Sequence, residues 1–550
     1  MRNRLATTLM TVALVSISGS MTDGLQTQAL SCLVSTANGA VQGTLRGVSC
    51  AFIGVPYGAA PVGTLRWRPP QAAPPWAPAT LSAVTASSCP AFSVATGLPA
   101  GSEDCLKLNI WTPEPLPASP APVIVWIHPG AFVAASANLA AANGQHFAEQ
   151  TGAVVVAVNY RLGPFGFLAH SALAAEDPAY PSSGNWGLLD QRLALLWIRN
   201  HIAAFGGDPQ RITIAGSSAG ALSVGLHLVS PGSTGLFDRA IMQSGPPSYR
   251  WRNRDEAEAQ GEDFAGALGC GQSSDVLGCM RAHTRDQVLK ALPIGMDQVT
   301  EGARVQWGPV VDGLELPDQP RALFEGGAIA RVPLLLGTNR DEGWVFVDRS
   351  FPADLTAEQY DAVLANEFGA DAGAIQSMYG AIEAGAPGLV ARKSALAQIV
   401  GDAEYVCETR RVARLVERTG TPVFSYTFDY AVDAVAGDRS IHGMEVNLLF
   451  GNDFGAPSVH ALDDADRELF RAMAGYWARF AARGDPNALD DTTVHWPAFK
   501  HPTGQGRGAD KHLVIGVPIS DGMRLRESAC DFWDAYDLRT LTGAVPASAP

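Results

Sequence analysis

Short, almost unbroken apolar runs recur along the chain, separated by longer stretches with helical spacing. Val123–Ile127 and Val154–Val158 contain no polar residue, as expected of strands covered on both faces. Ile212–Ala215, Val332–Gly337 and Val423–Phe428 predict three more strands, and Glu103–Trp111 reads as another. Leu188 to about Ala203 repeats its apolar residues at helical spacing, through Leu189, Leu193, Leu196 and Trp197. Ala472–Ala482 is a second amphipathic helix, stopped by Gly484-Asp485-Pro486. Buried strands alternating with helices predict an α/β fold, a large and mostly parallel sheet with helices on both faces.

Other segments modify that plan. Cys32–Cys50 carries short alternating segments with glycine turns, as in a small N-terminal sheet, and Pro61–Pro78 reads as a Pro-rich surface run. Residues 250–300 and 355–420 are more charged or helical and predict two helical insertions capping the sheet. The reading is one domain over residues 30–541, with a small-residue, Pro-rich tail at 542–550 that frays. At the start, Arg2 and Arg4 precede the apolar run Leu5–Ile17 and the small residues Ser18, Gly19 and Ser20. This reads as an export signal over residues 1–29, with cleavage between about 20 and 30, and predicts a secreted or periplasmic protein. The run is too short to span a bilayer, and no later segment is long enough.

Composition narrows the function. In 550 residues, 47% are hydrophobic and 17% charged, which fits a globular protein. The net charge of −15 argues against a nucleic-acid partner. Eight cysteines in an exported chain point to disulfides rather than a metal, because paired C-x-x-C clusters are missing. Their connectivity does not follow from spacing. No P-loop or dinucleotide fingerprint occurs, and no cofactor or metal is expected.

The chemistry concentrates at Gly216-Ser217-Ser218-Ala219-Gly220, directly after the run Ile212–Ala215. Gly-x-Ser-x-Gly between a strand and a helix is a tight turn that lifts the central hydroxyl above a sheet. Ser218 is central and is the candidate nucleophile; Ser217 flanks it. The N–H of Ala219 points into a helix start, where a developing oxyanion is stabilised. Serine needs a base, an orienting acid and oxyanion donors. His128-Pro129-Gly130-Ala131-Phe132 ends the strand Val123–Ile127; Gly130 and Ala131 can donate, whereas Pro129 has no N–H. Glu342, with Asp341 as its competitor, follows the strand ending at Leu336 and is the candidate acid. In this order of elements the base follows the acid, which leaves His442, His460, His495, His501 and His512. His442 stands between a strand and a helical run, His495 reads as structural, and His501 and His512 fall in a charged, exposed region.

Taken together these motifs resemble the type-B carboxylesterases, the cholinesterase-like family of the α/β-hydrolase fold. The motifs are Glu103-Asp104-Cys105-Leu106, His128-Pro129-Gly130-Ala131-Phe132, Asn159-Tyr160-Arg161, Gly184 to Gln191, Phe205 to Pro209, Gly216 to Gly220, Gln243-Ser244-Gly245, Asp341-Glu342-Gly343 and His442-Gly443-Met444-Glu445. The resemblance covers about residues 33 to 535. It implies Ser218 as nucleophile, Glu342 as acid and His442 as base, with an oxyanion hole from Gly130, Ala131 and Ala219. It implies Ser244 near the acid and base, and disulfides Cys89–Cys105, Cys270–Cys279 and Cys407–Cys530, leaving Cys32 and Cys50 as a further pair. It implies a secreted serine esterase acting on a small-molecule or polymeric ester, with Phe132, Ser217 and Trp344 in the pocket wall. Lipase, carbamate or polyester hydrolysis by the same residues is the alternative, and a non-catalytic binding module is the rival outside enzymes. The chain departs from the family at Pro129, where glycine is usual, at Ser217, where glutamate is usual, and at Lys107, where an aromatic is usual. No tryptophan stands between Cys89 and Cys105 to stack on a quaternary ammonium, which makes a choline-ester specialist unlike this chain.

Overall fold

Each apolar run of the sequence forms a strand, and the strands share one eleven-stranded sheet. The computed structural model describes residues 32–536, except 77–79, 83–85, 249, 295–306, 354, 386–389, 456–458, 490–492 and 501–509. The expected export signal at 1–29 and the tail at 542–550 lie outside the described residues.

Seven central strands run parallel: Val154–Val158, Ala121–Ile127, Gly207–Ser217, Arg239–Gln243, Leu334–Asn339, Val423–Phe428 and His512–Ile515, in that spatial order. Antiparallel strands Lys107–Pro113, Ser49–Pro56 and Thr44–Arg46 extend one edge, and Ser520–Gly522 extends the other. Val154–Val158 is fully buried along its length, as its unbroken apolar run predicts. Strand order reverses around Ala121–Ile127: the next strand in the chain lies on one side of it and Gly207–Ser217 on the other. Such a switch opens a crevice beyond the carboxyl ends of the strands. Register aligns those ends, with Gly216 opposite Ile127, Ser217 opposite Gln243 and Gln243 opposite Gly337.

Boundaries differ from the pattern-based expectation for identifiable reasons. The strand expected over Glu103–Trp111 runs from Lys107 to Pro113 instead. The strand expected over Ile212–Ala215 begins at Gly207 and ends at Ser217, because pairing continues beyond the apolar residues. The helix expected over Ala472–Ala482 spans Asp464–Arg483, since Asp463 and Asp466 form a capping box ahead of the apolar stripe. The Pro-rich run beginning at Pro61 is not all surface: Trp67 is buried and donates from Nε1 to Pro164 O at 2.8 Å. Of the small N-terminal sheet, Leu33–Thr36 pairs with Gly39–Gln42, which in turn pairs with Thr80–Ser82, while Thr44–Arg46 and Ser49–Pro56 belong to the large sheet.

Helices occupy both insertions: Arg254–Ala267, Val276–Ala282 and Arg285–Lys290 in the first, and Ala357–Phe368, Ala372–Gly385, Val390–Gly401 and Cys407–Glu417 in the second. The eight cysteines pair as Cys32–Cys50, Cys89–Cys105, Cys270–Cys279 and Cys407–Cys530. The last of these fastens Cys407–Glu417 to the helix Glu527–Ala535. Arg410 adds bonds to Asp531 and Asp534 at 2.8 and 2.6 Å, and Arg414 reaches Asp534 at 3.0 Å.

His227 lies on the helix Ala219–Val229 with its ring nitrogens against Ser233 Oγ at 2.8 Å and Gln191 Oε1 at 2.9 Å. Burial, helped by Arg192, pushes its pKa down to about 3. Burial likewise pushes His128 down to about 4, against a raising bond to the Pro129 carbonyl. Both rings are neutral when folded and gain a proton on unfolding below their ordinary pKa. Their contribution is therefore complete above about pH 6.5 and is lost as pH falls toward 4 and then 3. Urea unfolding at pH 5 should show a stability lower than at pH 7.5 by about 2 kcal/mol for each of these rings. An unchanged midpoint would contradict it.

Candidate active site

Ser218 stands between the strand Gly207–Ser217 and the helix Ala219–Val229 with φ +54° and ψ −124°, a conformation rare outside glycine. Close backbone approach holds it there. A Cβ at Gly220 would lie 2.0 Å from Ile127 O, and one at Gly216 would lie 2.5 Å from the Gly220 carbonyl carbon. The flanking glycines thus allow helix and strand to touch. The Ser218 N–H donates to Gln243 O at 2.9 Å, which pins the turn to the neighbouring strand. Ser217, expected in the pocket wall, is instead buried and turned inward, its hydroxyl 3.5 Å from Glu445 Oε1.

The adjoining strand Ala121–Ile127 runs into His128-Pro129-Gly130-Ala131-Phe132. Gly130, Ala131 and Phe132 have φ of +114°, +52° and +62°. Gly130 is required: a Cβ there would lie 2.3 Å from Ala134 O. Val133 and Ala134 both donate to Gly130 O at 2.9 Å, closing a compact turn. The His128 ring stacks on Tyr160 at 4.4 Å, and Tyr160 donates its hydroxyl to His128 O at 3.2 Å. Among the described residues, the N–H groups of Gly130, Ala131 and Ala219 donate to no protein acceptor. Fixed, unpaired donors at a helix start and a left-handed turn form a site for negative charge.

Glu342 and His442 come from loops beyond Leu334–Asn339 and Val423–Phe428. Glu342 is fully buried; Oε1 accepts from Asn339 N at 2.7 Å, and Oε2 lies 2.6 Å from His442 Nδ1. This bond places the proton on Nδ1 and leaves Nε2 as the accepting nitrogen. The two loops are stitched by Asp341, which exchanges bonds of 2.9 Å with Ser440 through its N–H and its carboxylate. Asp341, the competing acid, is thereby committed to backbone. Among the other late histidines, His460 pairs with Asp466 at 2.6 Å, His495 is exposed, and His501 lies outside the described residues. His512, expected exposed, is 5% exposed within the strand His512–Ile515. No hydrogen bond joins the Ser218 hydroxyl to His442 in this structure; in unliganded sites that contact is commonly long and tightens with substrate.

Sequence reasoning missed a second buried carboxylate. Glu445, in the first turn of Met444–Phe450, accepts from Asn339 Nδ2 at 2.7 Å and Gln243 Nε2 at 3.1 Å. Trp477 Nε1 donates to Gln243 Oε1 at 3.1 Å, and Asn339 Nδ2 also reaches Ile441 O at 2.6 Å. Burial, and then the neighbouring Glu342, push the Glu445 carboxyl above its ordinary pKa. The only local signal was a glutamate in a helix first turn, which reads as an ordinary dipole partner. Ser244, expected near acid and base, is fully buried with φ +55° and donates its N–H to Gly337 O at 2.8 Å. Phe132 is wholly buried, with Phe167 and Trp251 edge-on at 5.3 and 6.0 Å. Trp344 is half-buried under the Arg439 guanidinium, 3.6 Å from the ring centre.

The crowding at the turn predicts a specific sensitivity. Gly220→Ala forces a methyl against Ile127 O, and should lower stability by about 1–3 kcal/mol. It should also displace Ser218, so activity should fall by more than the folded fraction does. Denaturation and active-site titration on the same sample read the two effects separately.

A family model described as the Carboxylesterase family covers residues 31–533.

Proposed function

The chain belongs to the carboxylesterase family and is a carboxylic ester hydrolase of the α/β-hydrolase fold; from that premise we propose that it works through an acyl-enzyme on Ser218, with His442 as base and Glu342 as acid. The observation that carries this reading is the 2.6 Å bond from His442 Nδ1 to the buried Glu342; the strained strand-to-helix turn that holds Ser218 supports it.

The ester carbonyl is placed with its oxygen toward the N–H groups of Gly130, Ala131 and Ala219. Ser218 Oγ attacks the carbonyl carbon as His442 Nε2 takes its proton. The bond from Oγ to carbon forms and the carbonyl electrons move to oxygen, where the three donors stabilise the charge. One such donor typically contributes a factor of about 10²–10³ in rate. Glu342 stabilises the imidazolium without taking its proton. The carbonyl re-forms, the bond to the leaving oxygen breaks, and His442 gives the proton to the departing alcohol. Water then repeats the sequence: His442 takes its proton, the new oxygen–carbon bond forms, and Ser218 leaves with that proton. The products are an acid and an alcohol.

Export fits the covalent structure. Four disulfides form and persist in an oxidising compartment. No helix of the described residues is long and apolar enough to cross a membrane. We therefore read residues 1–29 as a removed export signal, and the mature protein as secreted or periplasmic.

Ser218→Ala should fold normally, lose labelling by a fluorophosphonate probe, and lose at least about 10⁴-fold in turnover of p-nitrophenyl esters. His442→Asn should lose a similar factor. Turnover retained by folded Ser218→Ala protein would reject the proposal.

A further inference from the structure

We propose that Tyr405 is a positioning residue for His442, held against the imidazole by one π-helical turn in the second helical insertion. The inference rests on the reading of His442 as the base.

The helix entering this region, Val390–Gly401, passes directly under the acid loop. A Cβ at Gly343 would lie 2.0 Å from Ala397 O and 2.8 Å from Gly401 N. The chain then makes a π-helical turn, Asp402–Val406, before continuing as Cys407–Glu417. Such turns are rare, and they displace side chains from where an α-helix would put them. Both ends of this one are anchored: the backbone of Gly343 lies against one side, and Cys407 is bonded to Cys530 on the other. One face of the turn is committed to structure. Asp402 accepts from the Tyr379 hydroxyl at 3.0 Å and from Gln398 Nε2 at 2.8 Å. Tyr405 serves a different neighbour.

The Tyr405 ring is 5% exposed, and its centre lies 5.0 Å from that of His442 at an interplanar angle of 59°. Phe346, on the helix Trp344–Ser350 that follows Glu342, lies at the same 5.0 Å and 55°. The two aromatic rings are parallel within 4°, with centres 5.7 Å apart. The imidazole therefore leans on a two-ring platform. Its bond to Glu342 fixes Nδ1 but leaves the ring free to tilt about that point. With no hydrogen bond from Nε2 to Ser218 in this structure, the surface behind the ring limits the tilt and aims Nε2. The same two rings offer π-density to the imidazolium that forms when the serine proton is taken.

The test compares Tyr405→Phe and Tyr405→Leu in the full chain, measuring kcat, KM, fluorophosphonate inactivation rate and thermal midpoint. The downfield proton signal of the His442 Nδ1–H is read by NMR in the same samples. Tyr405→Leu keeps apolar volume without a ring; it should lose about 10- to 100-fold in kcat, with KM changing far less. Its inactivation rate should fall in parallel, and its downfield signal should broaden. Tyr405→Phe keeps the ring and should retain near-native kcat and the sharp signal. Folded Tyr405→Leu with native kcat would overturn the proposal, as would a Tyr405→Phe loss equal to that of Tyr405→Leu. If Tyr405→Leu does not fold, Phe346→Leu removes the other half of the platform, and native kcat there has the same consequence. Full activity in Ser218→Ala and His442→Asn would reject the underlying reading; inactive Ser218→Ala and His442→Asn with a fully active Tyr405→Leu would reject the platform alone.

Discussion

Backbone contact at the carboxyl ends of the central strands is the constraint from which the site follows. Gly220 lies so close to Ile127 O that no side chain fits between them. That contact forces the helix start onto the strand end, and so forces Ser218 into the left-handed region. It also brings the first helical N–H beside the turn that carries Gly130 and Ala131. A strained serine and a set of unpaired donors are thus two outcomes of one packing event. The strain, of order 1–3 kcal/mol at such positions, is carried by the surrounding sheet, whose central strands are buried over most of their residues.

Below the donors lies a buried polar layer in which two carboxylates share one asparagine. Asn339 gives its backbone N–H to Glu342 and its side-chain amide to Glu445. Only Glu342 has an imidazole to pair with. Burial beside a second acid pushes Glu445 up, the result expected when two like groups are taken out of water together. The layer links the strand ends at Ser217, Gln243 and Asn339 to the helix that follows His442. The proposed nucleophile, acid and base thus each lie within a few residues of one hydrogen-bonded network at the strand ends.

Much of this was legible in the chain. The apolar run at Val154–Val158 announced a buried parallel strand, and Gly216 to Gly220 announced the turn that ends the strand Gly207–Ser217. The loops of Glu342 and Asp341 were legible as a pair, but the choice between them depends on the Asp341–Ser440 bonds, which join segments about a hundred residues apart. Ser217 was expected in the pocket because it stands where the family usually carries a glutamate; its burial and its contact with Glu445 are settled by residues distant in sequence. Tyr405 carried no local signal, and Glu445 stood in the motif His442-Gly443-Met444-Glu445 with no role assigned to it. Glu445 looks like any acid at a helix start, and the π-helical turn before Cys407 has no sequence mark that periodicity detects. His512 looked exposed among charged neighbours, yet it sits in a strand that completes the sheet. These misses share a cause: each position is decided by a contact distant in sequence.

The separation of the three groups along the chain has a consequence for biosynthesis. The serine is made first, the carboxylate later and the imidazole last, near the final fifth of the polypeptide. On the proposed mechanism, a ribosome-bound fragment therefore carries its hydroxyl without the group that would activate it. On that reading the nascent polypeptide stays chemically quiet toward esters until the C-terminal strands dock.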